Sequence, residues 1–276
     1  MRRITAAVTG ATVALGLAAC GAPSEQAGGG EDTLTVGATA VPAGEVLEFV
    51  RDELAADAGL DLKIQEFADY NAPNAALAEG ELDANLFQHA PFLEDYNANS
   101  GTDLVPVTEV YLPPLGLYSF TVDSVEELPD GATVALPNDP TNEYRALLLL
   151  QEGGLITLAE GIEESSFSLA DIEDNPKDLE FREIDAAQLP RSLEDVDAAI
   201  VNANYALDAD LSANESAILL ERYEGSPYIN ILAARQDNQD DPRVQKLAEI
   251  LTSEEVARFI EEEYSGTVIP VASGQS

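Results

Sequence analysis

Apolar positions along the chain switch repeatedly between a period of two and a period near 3.6. Thr33 to Ala38 (TLTVGA) reads as a short strand. Glu45 to Ala58 places Val46, Leu47, Phe49, Val50 and Leu54 at helical spacing, and Leu60 to Phe67 alternates as LDLKIQEF, which completes a β-α-β unit. A short helix at Pro73 to Glu79, a buried strand at Asp83 to Gln88, a helix at Pro91 to Asn97 with proline in its first turn and a strand at Leu104 to Val110 continue the series. The stretch YLPPLGLYSF, Tyr111 to Phe120, breaks the rhythm and reads as a crossing segment or hinge. A second series then follows: a helical turn at Val125 to Leu128, a strand at Thr133 to Leu136, a helix at Asn142 to Gln151, and strands at Leu179 to Ile184 and Ala198 to Asn202. A return strand at Tyr228 to Ala234, helices at Pro242 to Leu251 and Ser253 to Tyr264, and a last strand at Val268 to Val271 close the chain. The pattern predicts an α/β, two-lobed architecture, with residues 33–117 plus 228–276 in one lobe, 118–227 in the other, and a ligand cleft between them.

The N-terminus follows a different logic. Met1-Arg2-Arg3 is basic, Ile4 to Ala19 carries no charge, and Leu17-Ala18-Ala19-Cys20 matches a bacterial lipobox. Residues 1–19 are therefore expected to be a lipoprotein signal peptide, too short to span a membrane, with Cys20 as the lipidated residue. An ordinary secretory signal with a chance cysteine is the alternative, but Cys20 is the single cysteine of the chain and needs some such role. Residues 20–32, rich in Gly, Ala, Ser, Pro and Glu, read as a flexible tether. The expected location is the extracytoplasmic face of the cell membrane, held by the lipid anchor only.

Charge narrows the partners. The 276 residues hold 13 Lys+Arg against 52 Asp+Glu, a net charge of -39, which repels nucleic acid and anionic head groups. Loss of residues 1–19 would remove Arg2 and Arg3 and make the balance more negative still. Anchoring must then come from acyl chains, each buried methylene contributing ~0.8 kcal/mol, with about two chains needed for stable attachment.

Against this background Arg145 stands out. Asn138-Asp139-Pro140-Thr141 supplies turn and cap residues, so a helix is expected to begin near Thr141 or Asn142, with Arg145 in its first turn, where a cation opposes the helix dipole. Two readings remain open: an ion pair with one of the many carboxylates, or a grip on an anionic ligand group. The only histidine, His89, ends an apolar strand two residues after Phe87, and is either a satisfied structural residue or part of an aromatic, polar-rimmed cleft. Asn202 or Asn204, and Asn230, come off apolar strands, where an asparagine serves a turn or offers its amide to a ligand.

Catalysis and cofactors find little support. There is no Cys-His pair, no zinc ligand set and no HExxH, and no GxSxG elbow accompanies His89. The run DIEDNPKDLEFRE, Asp171 to Glu183, superficially resembles a calcium loop but has Pro176 and Arg182 where glycine and glutamate are required. The expectation is a binding protein without cofactor or metal; a hydrolase using His89 and an adhesin or chaperone with an incidental pocket are the rivals.

Taken in order, these segments resemble the NlpA/MetQ family of methionine-binding lipoproteins, the extracytoplasmic receptors of methionine ABC importers. The likeness runs through YNAPNAALAEGELDANLFQHAP (Tyr70 to Pro91), ELPDGATVALPNDPTN (Glu127 to Asn142), RALLLLQEGGLI (Arg145 to Ile156), DNPKDL (Asp174 to Leu179), DAAQLPRSLEDVDAAIVNANYAL (Asp185 to Leu207) and SPYIN (Ser226 to Asn230). It implies a periplasmic-binding-protein-like (type II) fold and a monomer that carries methionine or a related small zwitterion to an ABC permease and ATPase complex. A methionine-containing dipeptide or another amino acid is the alternative cargo. By the same resemblance Arg145 holds the carboxylate, Asn202 and Asn230 fix the head group, and Tyr70, Phe87 and His89 line the side-chain pocket. Asn204, Asn142 and Tyr118 complete the candidate set. One departure is Tyr144, where the family has a small residue; either the backbone approaches the ligand less closely there or the tyrosine points away.

Overall fold

The computed structural model describes residues 33–162, 167–211, 217–223 and 225–271. The expected signal peptide, Cys20 and the tether lie outside the described residues. From its first described residue the chain runs through β1 (Thr33–Thr39), α1 (Glu45–Phe49), β2 (Asp61–Phe67), α2 (Pro73–Ala78), β3 (Ala84–His89), α3 (Ala90–Ser100) and β4 (Leu104–Leu112). It then forms β5 (Gly116–Tyr118), β6 (Thr133–Pro137), α4 (Pro140–Glu152), β7 (Thr157–Leu158), β8 (Ile172–Asp174), β9 (Glu180–Ile184), α5 (Leu189–Ser192), β10 (Ala198–Val201), α6 (Ala203–Asp208) and β11 (Ala217–Leu220). The return is made by β12 (Asn230–Arg235), α7 (Pro242–Leu251), α8 (Glu254–Tyr264) and β13 (Ile269–Pro270).

Two sheets result. The first is six-stranded, in the order β13-β4-β12-β3-β1-β2, and the second five-stranded, in the order β11-β5-β10-β6-β9. Each has a parallel centre (β2, β1 and β3 in one, β9, β6 and β10 in the other) with antiparallel strands joined to it. The first sheet draws on the chain before Pro113 and after Tyr228, the second on what lies between, so the chain passes twice between the lobes. This is the two-lobed, type II periplasmic-binding-protein-like architecture.

Burial explains why these segments take these forms. Leu34, Val36 and Ala38 of β1 lose all exposure beneath α1, α7 and α8, whose Val46, Leu47, Val244, Leu247, Val256 and Ile260 complete the first core. In the second lobe Ala146, Leu147, Leu149 and Leu150 of α4 pack on Leu117, Val134, Leu136 and Ile200. Each leucine so buried contributes about 1.5–3 kcal/mol, which is why the LLLL run is helical and anchored. Asp139, one of the cap residues read from the sequence, caps α4, which begins at Pro140 instead of near Thr141 or Asn142: its carboxylate accepts from the Asn142 backbone N–H at 3.0 Å. Arg145 consequently sits in the second turn instead of the first.

Three other expectations shift. The hinge read over Tyr111 to Phe120 is shorter, because β4 persists to Leu112 and β5 already belongs to the second sheet; Pro113 and Pro114, which cannot donate to a ladder, separate them. The strand expected to begin at Tyr228 begins at Asn230, after Pro227. The strand expected to reach Asn202 stops one residue earlier: β10 ends at Val201, Asn202 stands at the N-cap of α6 and Asn204 lies in its first turn.

Glu143, one residue from Asn142 on α4, is 8% exposed. Burial, reinforced by the Glu183 carboxylate, pushes its pKa up to about 7. The folded chain therefore holds a proton that the unfolded chain releases near pH 4.5, and this stability is lost as pH rises from that value through about 7. Glu143→Gln is expected to match the parent at pH 4.5 and to exceed it by about 3 kcal/mol at pH 8 in urea unfolding. A pH-independent difference would mean that the carboxylate is solvated.

Candidate functional site

A cavity lies where the two lobes meet. The first lobe contributes Tyr70, Phe87, His89 and Asn230 to its wall, and the second Asn142, Arg145, Asn202 and Asn204, so eight of the nine ligand-site candidates read from the sequence converge there. The ninth, Tyr118, does not line it. Its ring lies over Gly116, where a Cβ would come within 2.7 Å of it, and packs with Ala135, Ala199 and Val201 on the face of the second sheet.

Aromatic rings make one end of the cavity. Tyr70 lies 5.8 Å from both Phe87 and Phe92, and those two meet edge to face at 5.9 Å. Such a wall offers apolar area and polarisable ring edges, a surface that suits a thioether or an aliphatic chain. Behind it, Asn74, Asn85 and Gln88 bond to one another: Asn74 donates to Gln88 at 2.7 Å and accepts from Asn85 at 2.9 Å and from Gln88 at 2.7 Å. This closed set of amides fixes α2 against β3 and so sets the strand that presents Phe87 and His89.

The other end is polar. Asn142 is held by Asp139, to which its amide donates at 3.0 and 3.1 Å. Its Oδ1 is thereby turned to accept from Asn202 Nδ2 at 2.9 Å and from His89 Nε2 at 3.3 Å. The histidine tautomer follows from its neighbours: Nδ1 accepts from the Phe92 backbone N–H at 3.2 Å, which leaves the proton on Nε2. Burial and then the nearby Arg145 charge push the His89 pKa down to about 3, so the ring is neutral over the physiological range. His89 to Asn142 and Tyr70 to Asn204 are contacts between lobes, and both are closed.

Asn202 occupies a helix N-cap without capping: its amide makes no cap hydrogen bond, and its Oδ1 is buried with no partner. A buried acceptor left unmatched costs about 1–3 kcal/mol, and a donor supplied by a guest would recover it. Arg145, 3% exposed, faces a carboxylate of the protein itself. Its Nε donates to Glu221 Oε1 at 2.9 Å, and its Nη2 to Glu221 Oε2 and to Pro113 O at 2.9 Å. The Tyr228 ring lies 4.7 Å from its Cζ. Nη1, among the described residues, has no protein acceptor and remains for a second anion. Of the two sequence readings of Arg145 the ion pair is present, while its place in the cavity wall keeps the ligand role open. Tyr144 turns away, its ring 5.1 Å from that of Phe167.

Glu221 and Tyr228 are functional neighbours that pattern reading missed; the proximity of Tyr228 to Asn230 in SPYIN was the available signal. Among the described residues no group of three or more His, Cys, Asp or Glu is placed to hold a metal, and no helix is long and apolar enough to cross a membrane.

Fold and cavity together define a two-lobed solute-binding protein. The NlpA lipoprotein family profile matches residues 34–272, and the chain belongs to that family. Among similar proteins, the methionine-binding lipoprotein MetQ of Bacillus subtilis is 38% identical over 259 residues, 93% of this chain and 94% of the relative. The D-methionine-binding lipoprotein MetQ of Salmonella typhi is 38% identical over 268 residues, 96% of this chain and 97% of the relative. A nutrient-binding protein from Burkholderia cenocepacia, solved bound to methionine, superposes with a TM-score of 0.83 at 44% identity, covering 86% of this chain and 99% of the other.

Proposed function

We propose that this chain is an extracytoplasmic lipoprotein, anchored through Cys20, that captures methionine between its lobes and delivers it as a monomer to an ABC importer. The observation that carries this reading is the buried, partnerless Oδ1 of Asn202 in a cavity that is also lined by a guanidinium with Nη1 to spare. An ammonium satisfies the first and a carboxylate the second, while Tyr70, Phe87 and Phe92 receive the thioether chain. Asn230 supports the head group from the first lobe. Similarity to methionine-binding relatives over nearly the whole chain supports the cargo assignment. Contacts from both lobes to one ligand favour the closed form, which is the form a permease would recognise.

The test is calorimetric titration with L-methionine, D-methionine and Gly-Met, after unfolding and refolding the protein to strip carried-over ligand. Saturable micromolar binding of L-methionine, about -8 kcal/mol, is expected. Absence of heat with L-methionine from demonstrably folded protein would refute the cargo assignment, and tighter binding of Gly-Met would move it to a dipeptide.

A further inference from the structure

Glu221 does not line the cavity, yet it holds the only cationic side chain that does among the described residues. It stands just after β11, at the return passage between lobes. Its backbone N–H donates to Leu115 O at 2.9 Å, and its Oε2 accepts from Leu115 N at 3.0 Å as well as from Arg145. Gripped from the outgoing passage on one side and by the guanidinium on the other, this carboxylate has a fixed position. It therefore does two things. It occupies the Nε and Nη2 edge of Arg145 and leaves Nη1 without a protein acceptor among the described residues. It also cancels the Arg145 charge.

That cancellation has a consequence for selectivity. In a cavity between lobes that shields its guest from water, a guest's net charge costs far more than the same charge in water. The Arg145–Glu221 pair is neutral, so it offers a guest no surplus positive charge. A guest whose carboxylate is balanced by its own ammonium enters as a neutral species, with Asn202 Oδ1 to receive the ammonium. A guest with the carboxylate alone enters as an uncompensated anion. We infer that Glu221 is a specificity-determining residue which, by neutralising Arg145, makes the cavity select a zwitterion over the same molecule lacking its amino group. The inference rests on the amino-acid-binding reading above and names the class of molecule that the site rejects.

The experiment compares L-methionine with γ-methylthiobutyrate, its deaminated counterpart, on the parent chain, Glu221→Gln and Glu221→Asp, all refolded and checked by circular dichroism. The quantity read is the ratio of the two dissociation constants. In the parent and in Glu221→Asp the ratio is expected to favour methionine strongly; in Glu221→Gln it should fall tenfold or more. A purely structural loss would weaken both ligands together and leave the ratio in place, and that result would overturn the inference. If the Gln variant does not fold, Glu221→Ala, which leaves room for water beside Arg145, is read by the same ratio. Failure of the parent to bind methionine would overturn the binding reading and this inference together, whereas methionine binding with an unchanged ratio would overturn this inference alone.

Discussion

Arg145→Met is expected to lower the unfolding free energy of the ligand-free protein by about 3–5 kcal/mol, the cost of leaving a buried carboxylate without its cation. The side chains of the pair are 2% and 12% exposed, and without the guanidinium Glu221 would keep only the Leu115 N–H as a side-chain partner among the described residues. Arg145→Met/Glu221→Leu is expected to regain most of that loss, because apolar groups of similar volume replace a buried pair at little net cost. Urea unfolding of both variants checks this. A loss under ~1 kcal/mol in the single variant would place the pair with exposed ion pairs and remove its structural role. Binding separates the two functions of the arginine: the double variant should fold well and still fail to hold methionine in calorimetry. Recovery of binding with recovery of stability would show that the guanidinium acts on the ligand only by supporting the fold.

The coarse fold was legible because burial writes periodicity into sequence. TLTVGA and the alternating LDLKIQEF could bury their apolar residues only as strands, and the LLLL run, with Asp139 and Pro140 before it, only as a capped helix. What escaped were elements too short for a period to develop. Gly116–Tyr118 hid inside a proline-rich stretch, and Ala203–Asp208, six residues long, follows directly on β10. Asn202 was the missed boundary signal, since asparagine before a short run of good helix formers is a common cap. Here its side chain serves the cavity instead.

The site was legible in its lining but not in its supports. Arg145, His89 with Phe87, Asn202 or Asn204, and Asn230 stood out in their local patterns, whereas Tyr70 and Asn142 entered with the family resemblance. Glu221 did not stand out. A buried arginine demands a counter-charge, but 52 acidic residues offered no local way to choose one, and the partner lies 76 positions away. The Asn74, Asn85 and Gln88 set was equally silent, because mutual satisfaction among amides depends on tertiary placement of α2 against β3. Tyr118 shows the converse: an aromatic residue near a crossing segment was plausible in the cavity, but Gly116 gave its ring room to fold back into the core.

His89 should give the protein a distinct acid sensitivity. It is the only histidine, so its contribution can be isolated by one substitution. Its pKa is pushed from 6.5 down to about 3, chiefly by burial and then by the Arg145 charge. The unfolded chain therefore takes up a proton that the folded chain refuses. Stability from this residue is complete above pH 6.5 and falls progressively as pH drops toward 3. Between pH 8 and pH 4 the parent is expected to lose about 3 kcal/mol more than His89→Gln, which keeps an amide donor for Asn142 Oδ1 and has no titrating ring. The comparison cancels the background of carboxylates common to both chains. Urea unfolding at several pH values reads the difference directly; parallel profiles would mean that the ring gains solvent or a counter-charge when protonated. The same neutrality sets the site's behaviour in use. With a neutral imidazole donating to Asn142, methionine affinity should stay flat from pH 5 to pH 8, and a break near pH 6.5 would show that the ring charges in the ligand-free protein.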